Sequence, residues 1–187
     1  KATTSALKVH MDNSAVALQE GQPYKLLLTV PVPYAVLNQQ LQDKLYHQEA
    51  HLPTTLGSTL MIERVVASDV SGRTLLAVDT SDAVKGTLYY WGTPQLEHEG
   101  NIITIPDLQI ANETKIALEE IKSGYWQMIN DELLPRLRQA ATIDLGQRIG
   151  TMKQALSGQH KSGGLAMDLL MAKQEAGQVV STKDALV

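Results

Sequence analysis

The spacing of apolar positions changes period twice along this chain. Tyr34, Leu37, Leu41 and Leu45 are three, four and four residues apart, with Asn38, Gln39, Gln42 and Asp43 between them, which predicts a short amphipathic helix. Before it, YKLLLTV (Tyr24 to Val30) is a strand candidate, closed by Pro31 and Pro33, which cannot donate to a ladder. Residues 1–22 are small and polar and predict an extended arm or edge strand, while Pro53 and Gly57 mark a loop.

From Ser58 to Ile110 the period is two. Four strands are predicted: TLMIERVVASDV, RTLLAVDT, KGTLYYWG and NIITIPDLQI, separated by turns at Ser71-Gly72 and Ser81-Asp82 and by the bend TPQLEHEG. Short, regular turns imply an antiparallel meander. Leu76 and Val78, Leu88 and Tyr90, and Ile103 and Ile105 make one apolar face, and Lys85, Thr87 and Thr104 belong to a wetter one.

After Asn112 the helical period returns and persists. Leu118, Ile121, Tyr125, Met128, Ile129, Leu133, Leu137, Ala140, Ile149, Met152 and Leu156 recur mostly three or four apart. This predicts one long amphipathic helix over 114–157, capped by Thr114, or two collinear ones. It would be on the order of 60 Å long, with Pro135 as its kink and Gly146 and Gly150 as weak points. The four-strand meander is the partner surface such a helix requires. SGQHKSGG reads as a flexible connection, and residues 165–187 as returning strands that break off at DALV. With no initiator Met at Lys1, the chain reads as a fragment or a processed piece, and a targeting segment upstream stays open.

Composition narrows the function. The 187 residues are 43% hydrophobic and 19% charged with a net charge of -4, which gives globular material without the basic stripe that tracks a phosphate backbone. Nucleic acid is not an expected partner, and no apolar run approaches the roughly 20 residues of a membrane-spanning helix. Cysteine is absent, which removes disulfides, thiolate catalysis and Cys-based zinc sites. Phe is absent too, so the core must be built from Leu, Ile, Val, Met and Ala. Tyr89, Tyr90, Trp91, Tyr125 and Trp126 carry most of the aromatic surface, either as core filling or as an amphipathic rim facing water, a partner or a membrane surface.

Candidate chemistry is sparse. His47 and His51 in HQEAH have the helical i, i+4 spacing that can grip a metal, but Glu49 is rotated about 200° from His47 and Pro53 ends the helix. Two solvated residues at a frayed helix end explain the motif better. Glu97-His98-Glu99 could form an acid/base cluster, yet it precedes Gly100-Asn101, where a hairpin tip is exposed. Asn112-Glu113-Thr114 matches a glycosylation spacing that helix capping accounts for. Neither a Gly-x-Ser-x-Gly nucleophile nor a Gly-rich phosphate loop occurs, so no enzyme and no cofactor are expected.

The order strand, short helix, meander, long bent helix and strands again resembles the tubular lipid-binding superfamily, which includes bactericidal permeability-increasing protein. At residue level, VPVPYAVLNQQLQDKL, KGTLYYWGTPQLEHEGNIITIPDLQI and TKIALEEIKSGYWQMINDELLPRLRQ resemble an uncharacterised family of bacterial envelope proteins, domain of unknown function 4403. These segments run from Val30 to about Gln139, and none is a catalytic signature. The resemblance implies an α+β fold, a curved antiparallel sheet wrapped around one long kinked helix. It also implies a periplasmic or cell-envelope location and noncatalytic binding of a lipid or other hydrophobic ligand in the apolar seam, with peripheral membrane contact open. Together with the periodicity it nominates Val78, Leu88, Tyr90, Ile103, Ile105, Tyr125, Met128 and Leu133 as seam residues. The alternatives are a structural or protein-interaction domain with a closed core and, more remotely, a metal hydrolase using His47 and His51.

Overall fold

The computed structural model describes residues 29–53, 58–97, 100–156, 158–162, 165–169 and 178–187. The arm expected over 1–22 and most of the strand expected over Tyr24–Val30 lie outside the described residues. The described residues are α+β, a curled antiparallel sheet with four helices.

Strand β1 (Val32–Pro33) leads directly into helix α1 (Tyr34–Leu45). Pro33 therefore lies within a strand instead of closing one, which a two-residue edge strand tolerates because it needs few donors. The four positions predicted for the helix's inner face, Tyr34, Leu37, Leu41 and Leu45, are the buried ones. Asn38 meets the backbone of Ala67 with both amide atoms: Nδ2 donates to the Ala67 carbonyl at 3.2 Å and Oδ1 accepts the Ala67 N–H at 2.6 Å. The helix ends earlier than the HQEAH spacing suggested. His47 has a left-handed backbone (φ 55) and Glu49–His51 is strand β2.

Strands β3 (Thr59–Val70), β4 (Arg73–Asp82) and β5 (Gly86–Gly92) form the expected meander. Strand β8 (Gln109–Ile110) completes a five-stranded sheet in the order β2-β3-β4-β5-β8. The segment expected as one last strand is two. Strand β7 (Ile102–Thr104) leaves the main sheet and pairs with β6 (Gln95–Glu97), a strand inside the expected bend, and with β9 (Ile143–Asp144). Pro106, without a donor, stands at the switch, and Leu108 N–H closes the turn on the Ile105 carbonyl at 3.2 Å. Gly92 makes the turn's approach possible, because a Cβ there would strike Ile105 Cγ2 and come within 2.9 Å of Leu108 Cα.

The single long helix is replaced by three: α2 (Asn112–Ile121), α3 (Tyr125–Ala141) and α4 (Gly146–Leu156). The first break is at Lys122, which is extended, and Gly124, at φ 74, where the Glu119 carboxylate accepts the Gly124 N–H at 3.0 Å and the Ser123 hydroxyl at 3.0 Å. At the second break Ile143 and Asp144 are captured by β7, and Asp144 Oδ1 takes the Gly146 N–H at 2.7 Å. Helix α3 runs uninterrupted through Pro135, which was expected to kink or interrupt the long helix. Pro135 and Asp131, whose carbonyl loses its donor, are both on the exposed side, where water can serve that carbonyl. Thr114 is not the cap of α2. The helix starts earlier, after Ala111, and the Thr114 hydroxyl accepts the Tyr89 N–H at 3.1 Å, fixing α2 to β5.

The expected flexible connection contains strand β10 (Gly158–Ser162), which forms a hairpin with β11 (Leu165–Leu169). The chain closes on itself through β12 (Ala185–Leu186), which pairs with β1 and folds back so that Val180 and Val187 exchange backbone bonds of 2.6 and 2.8 Å.

Candidate functional site

The inner face of the curled sheet is aliphatic because the alternation along β3 to β5 puts Leu60, Ile62, Val65, Leu76, Val78 and Leu88 on one side, all buried. Helix α1 packs on β3, and helix α3, which packs on α1 and touches β2 and β8, adds its apolar side to the same buried cluster. At about 100° per residue, Tyr125, Ile129, Leu133, Leu137 and Ala140 share one arc of that helix, and all five are buried.

Arginine contacts from α3 hold it in place. Arg136 donates to the Glu49 carbonyl of β2 at 2.7 Å and Arg138 to the Leu108 carbonyl at 3.0 Å. From α1, the Gln40 amide Nε2 donates to the Ala140 and Thr142 carbonyls at 2.7 and 2.8 Å, so the last turn of α3 is capped by a side chain.

The eight nominated seam residues belong to this buried cluster or border it. Val78, Leu88, Tyr90, Ile103, Ile105, Tyr125 and Leu133 are buried members of one core cluster, and Met128 is partly buried against it. Ile103 is placed there from the small sheet, not as the next strand beside Leu88 and Tyr90. Trp126, Leu134 and Leu96 share the border with Met128. The depression of about 510 Å³ lined by Ala35, Val36, Gln39, Gln40, Asp43 and Lys44 is open and lies on the outward side of α1, away from this interface.

Two polar atoms interrupt the aliphatic interior. The Tyr90 hydroxyl is fully buried and has no hydrogen-bond partner among the described residues, and burial pushes its phenol far above the ordinary range. Asn130 Oδ1 is likewise buried and unpartnered. Asn130 escaped the sequence reading, although its place four residues after Trp126 and seven before Leu137, inside the apolar arc, is a usable signal.

The other sequence candidates are dispersed. His47 lies 3.6 Å from the Glu63 carboxylate and is mostly exposed, and His51 sits exposed in β2. Among the described residues no group of three or more His, Asp or Glu side chains converges as a metal site would require. Glu97 lies at the end of β6 and accepts the Thr104 hydroxyl at 2.8 Å, a contact across the hairpin, while His98 and Glu99 lie outside the described residues.

The outward face of the sheet is mixed. On this face the Thr87 hydroxyl at 2.7 Å holds the Asp79 carboxyl below the usual range; burial opposes it, and the Arg64 guanidinium at 2.9 Å adds to the lowering. Trp91 lies half-buried under the Arg73 guanidinium, 4.2 Å from its ring centre, and Tyr89 is 42% exposed. Tyr90 and Tyr125 thus fill core, whereas Tyr89 and Trp91 do not.

Residues 10–187 match the family described as Domain of unknown function (DUF4403). The chain belongs to this family. Neither a curated protein nor a solved structure matches it. Among the described residues, no helix is long and apolar enough to cross a membrane.

Proposed function

We propose that this family member binds a lipid or another hydrophobic ligand without catalysis, in the bacterial cell envelope, with the ligand's chain lying between the curled sheet and α3. The observation that supports this reading is the make-up of the core, in which Leu, Ile and Val of β3 to β5 share one buried aliphatic cluster with Ile129, Leu133 and Leu137 of α3. Such walls contribute roughly 25 cal/mol per Å² of apolar surface buried and ask for no fixed polar partner, which suits acyl chains of varied length. Met128, partly buried against this cluster, provides adaptable apolar contact through its unbranched thioether. The resemblance to tubular lipid-binding proteins supports the same reading.

Native mass spectrometry of gently purified protein tests it. A retained mass of lipid size is expected, and Leu133→Trp, which fills the interface, is expected to lower its occupancy. Protein that carries no added mass and gains no thermal stability from any lipid extract would sink the proposal.

A second reading is a structural or protein-interaction domain with a closed core. It is favoured by the burial of the nominated residues, since Val78, Tyr90 and Leu133 are each 0% exposed. The bare mass in the same experiment is its expected outcome.

A further inference from the structure

Helix α3 and two of the strands that follow it dock on elements that precede α2. Gln40 of α1 and Arg136 of α3 tie α3 to α1 and β2, β9 pairs with β7, and β12 pairs with β1. These two interlocked parts are joined through α2 by one short link, Lys122 to Gly124. The link departs from a helix in its backbone and not in its apolar pattern. Leu118, Ile121, Tyr125 and Met128 keep helical spacing across it, and Ile121 is left 61% exposed. The bend is held by near neighbours: Lys122 is extended, Gly124 is left-handed at φ 74, and the Glu119 carboxylate accepts the Ser123 hydroxyl and the Gly124 N–H, each at 3.0 Å. The docking of the two parts uses none of these contacts.

We infer that Lys122–Gly124 is a domain-swap hinge and that the partner it admits is a second copy of this chain. With the link straightened, α2 and α3 form one helix, and α3, β9 and β12 pack on α1, β2, β7 and β1 of the other copy. Every docking contact named above is re-made between chains, so no new surface is required. The Glu119 clamp is given up, and the backbone bonds of a continuous helix take its place. Gly124 opposes the exchange twice, because it accepts the left-handed bend freely and is a poor residue for a helix interior. The inference is independent of the lipid reading.

The test uses Glu119→Ala combined with Gly124→Ala, read by size-exclusion chromatography with light scattering over a range of protein concentrations. The cost of a left-handed alanine is relieved at both hinges of a dimer, so dimerisation is expected to tighten about a hundredfold over wild type. A cysteine pair then shows which chains are joined, since the sequence has no Cys of its own. Ile102→Cys and Asp144→Cys fall at directly paired positions of β7 and β9. In a swapped dimer their oxidation links two chains covalently, whereas in the wild-type background it closes a loop within one chain. Should the double alanine variant fail to fold, Glu119→Gln with Ser123→Ala loosens the clamp and keeps Gly124. That variant is expected to dimerise about tenfold more tightly than wild type and is read with the same cysteine pair. A folded variant that stays monomeric, or a dimer whose oxidised pair stays within one chain, overturns the assignment.

Discussion

The Ser181 hydroxyl donates to Asp69 Oδ1 at 2.6 Å, joining the C-terminal hairpin to the end of β3 across 112 positions of sequence. An ionised carboxylate only accepts, so the direction of the neighbouring bonds follows. Tyr34 donates to Ser181 at 2.6 Å and Thr74 donates to Tyr34 at 3.1 Å, giving a run of three hydroxyls that ends on Asp69. Thr74, Tyr34 and Ser181 are all buried. Ser181→Ala strips the carboxylate and the phenol of a partner at once and is expected to destabilise the protein by about 1.5–3 kcal/mol in urea unfolding. Amide exchange at Val180 and Val187 should accelerate more than in β4. Unchanged exchange at those two amides would mean that strand pairing alone holds the hairpin.

Gly92 faces the turn between β7 and β8 at a distance only a hydrogen fits. Gly92→Ala forces Leu108 and Ile105 away and should cost about 1–3 kcal/mol, as overpacking does elsewhere. Thr93, whose N–H is held by Asp107 Oδ1 at 2.6 Å, would loosen with it. Thermal unfolding reads the first effect, and the exchange rate of the Thr93 amide reads the second.

Two glycines in the helical region should respond in opposite directions. Gly124 needs its left-handed backbone to end α2 and start α3, so Gly124→Ala is expected to destabilise by about 1–2 kcal/mol. Gly150 lies inside α4 with nothing within 4 Å of an added Cβ, and Gly150→Ala should stabilise by about 0.5–1 kcal/mol. A pair of melting curves against the wild type checks both signs.

Local periodicity carried the elements whose partners are local. The spacing from Tyr34 to Leu45 identified α1 and its inner face, and the alternation of Leu76 with Val78 and of Leu88 with Tyr90 identified the buried side of the meander. It did not carry elements that depend on distant pairing. Ile102–Thr104 departs from the main sheet because Ile143 and Asp144, some forty positions on, pair with it, and nothing near Ile102 announces that. The long helix was misread because Ile121, Tyr125 and Met128 keep helical spacing across a backbone break. Ile121 is 61% exposed, so the apolar stripe ends where its spacing continues. Of the candidate site, the aliphatic walls were legible and Asn130 was not, since one polar residue in an apolar stripe acquires meaning only from its burial.

The contact between Asn38 and Ala67 has a consequence beyond joining α1 to the sheet. Strand β2 covers β3 only as far as Met61, and an uncovered strand edge is a template on which another molecule's strand can dock. The Asn38 amide occupies both hydrogen-bonding groups of Ala67 as an added peptide unit would. It makes the helix a guard against edge-to-edge aggregation in the second half of the longest strand in the sheet.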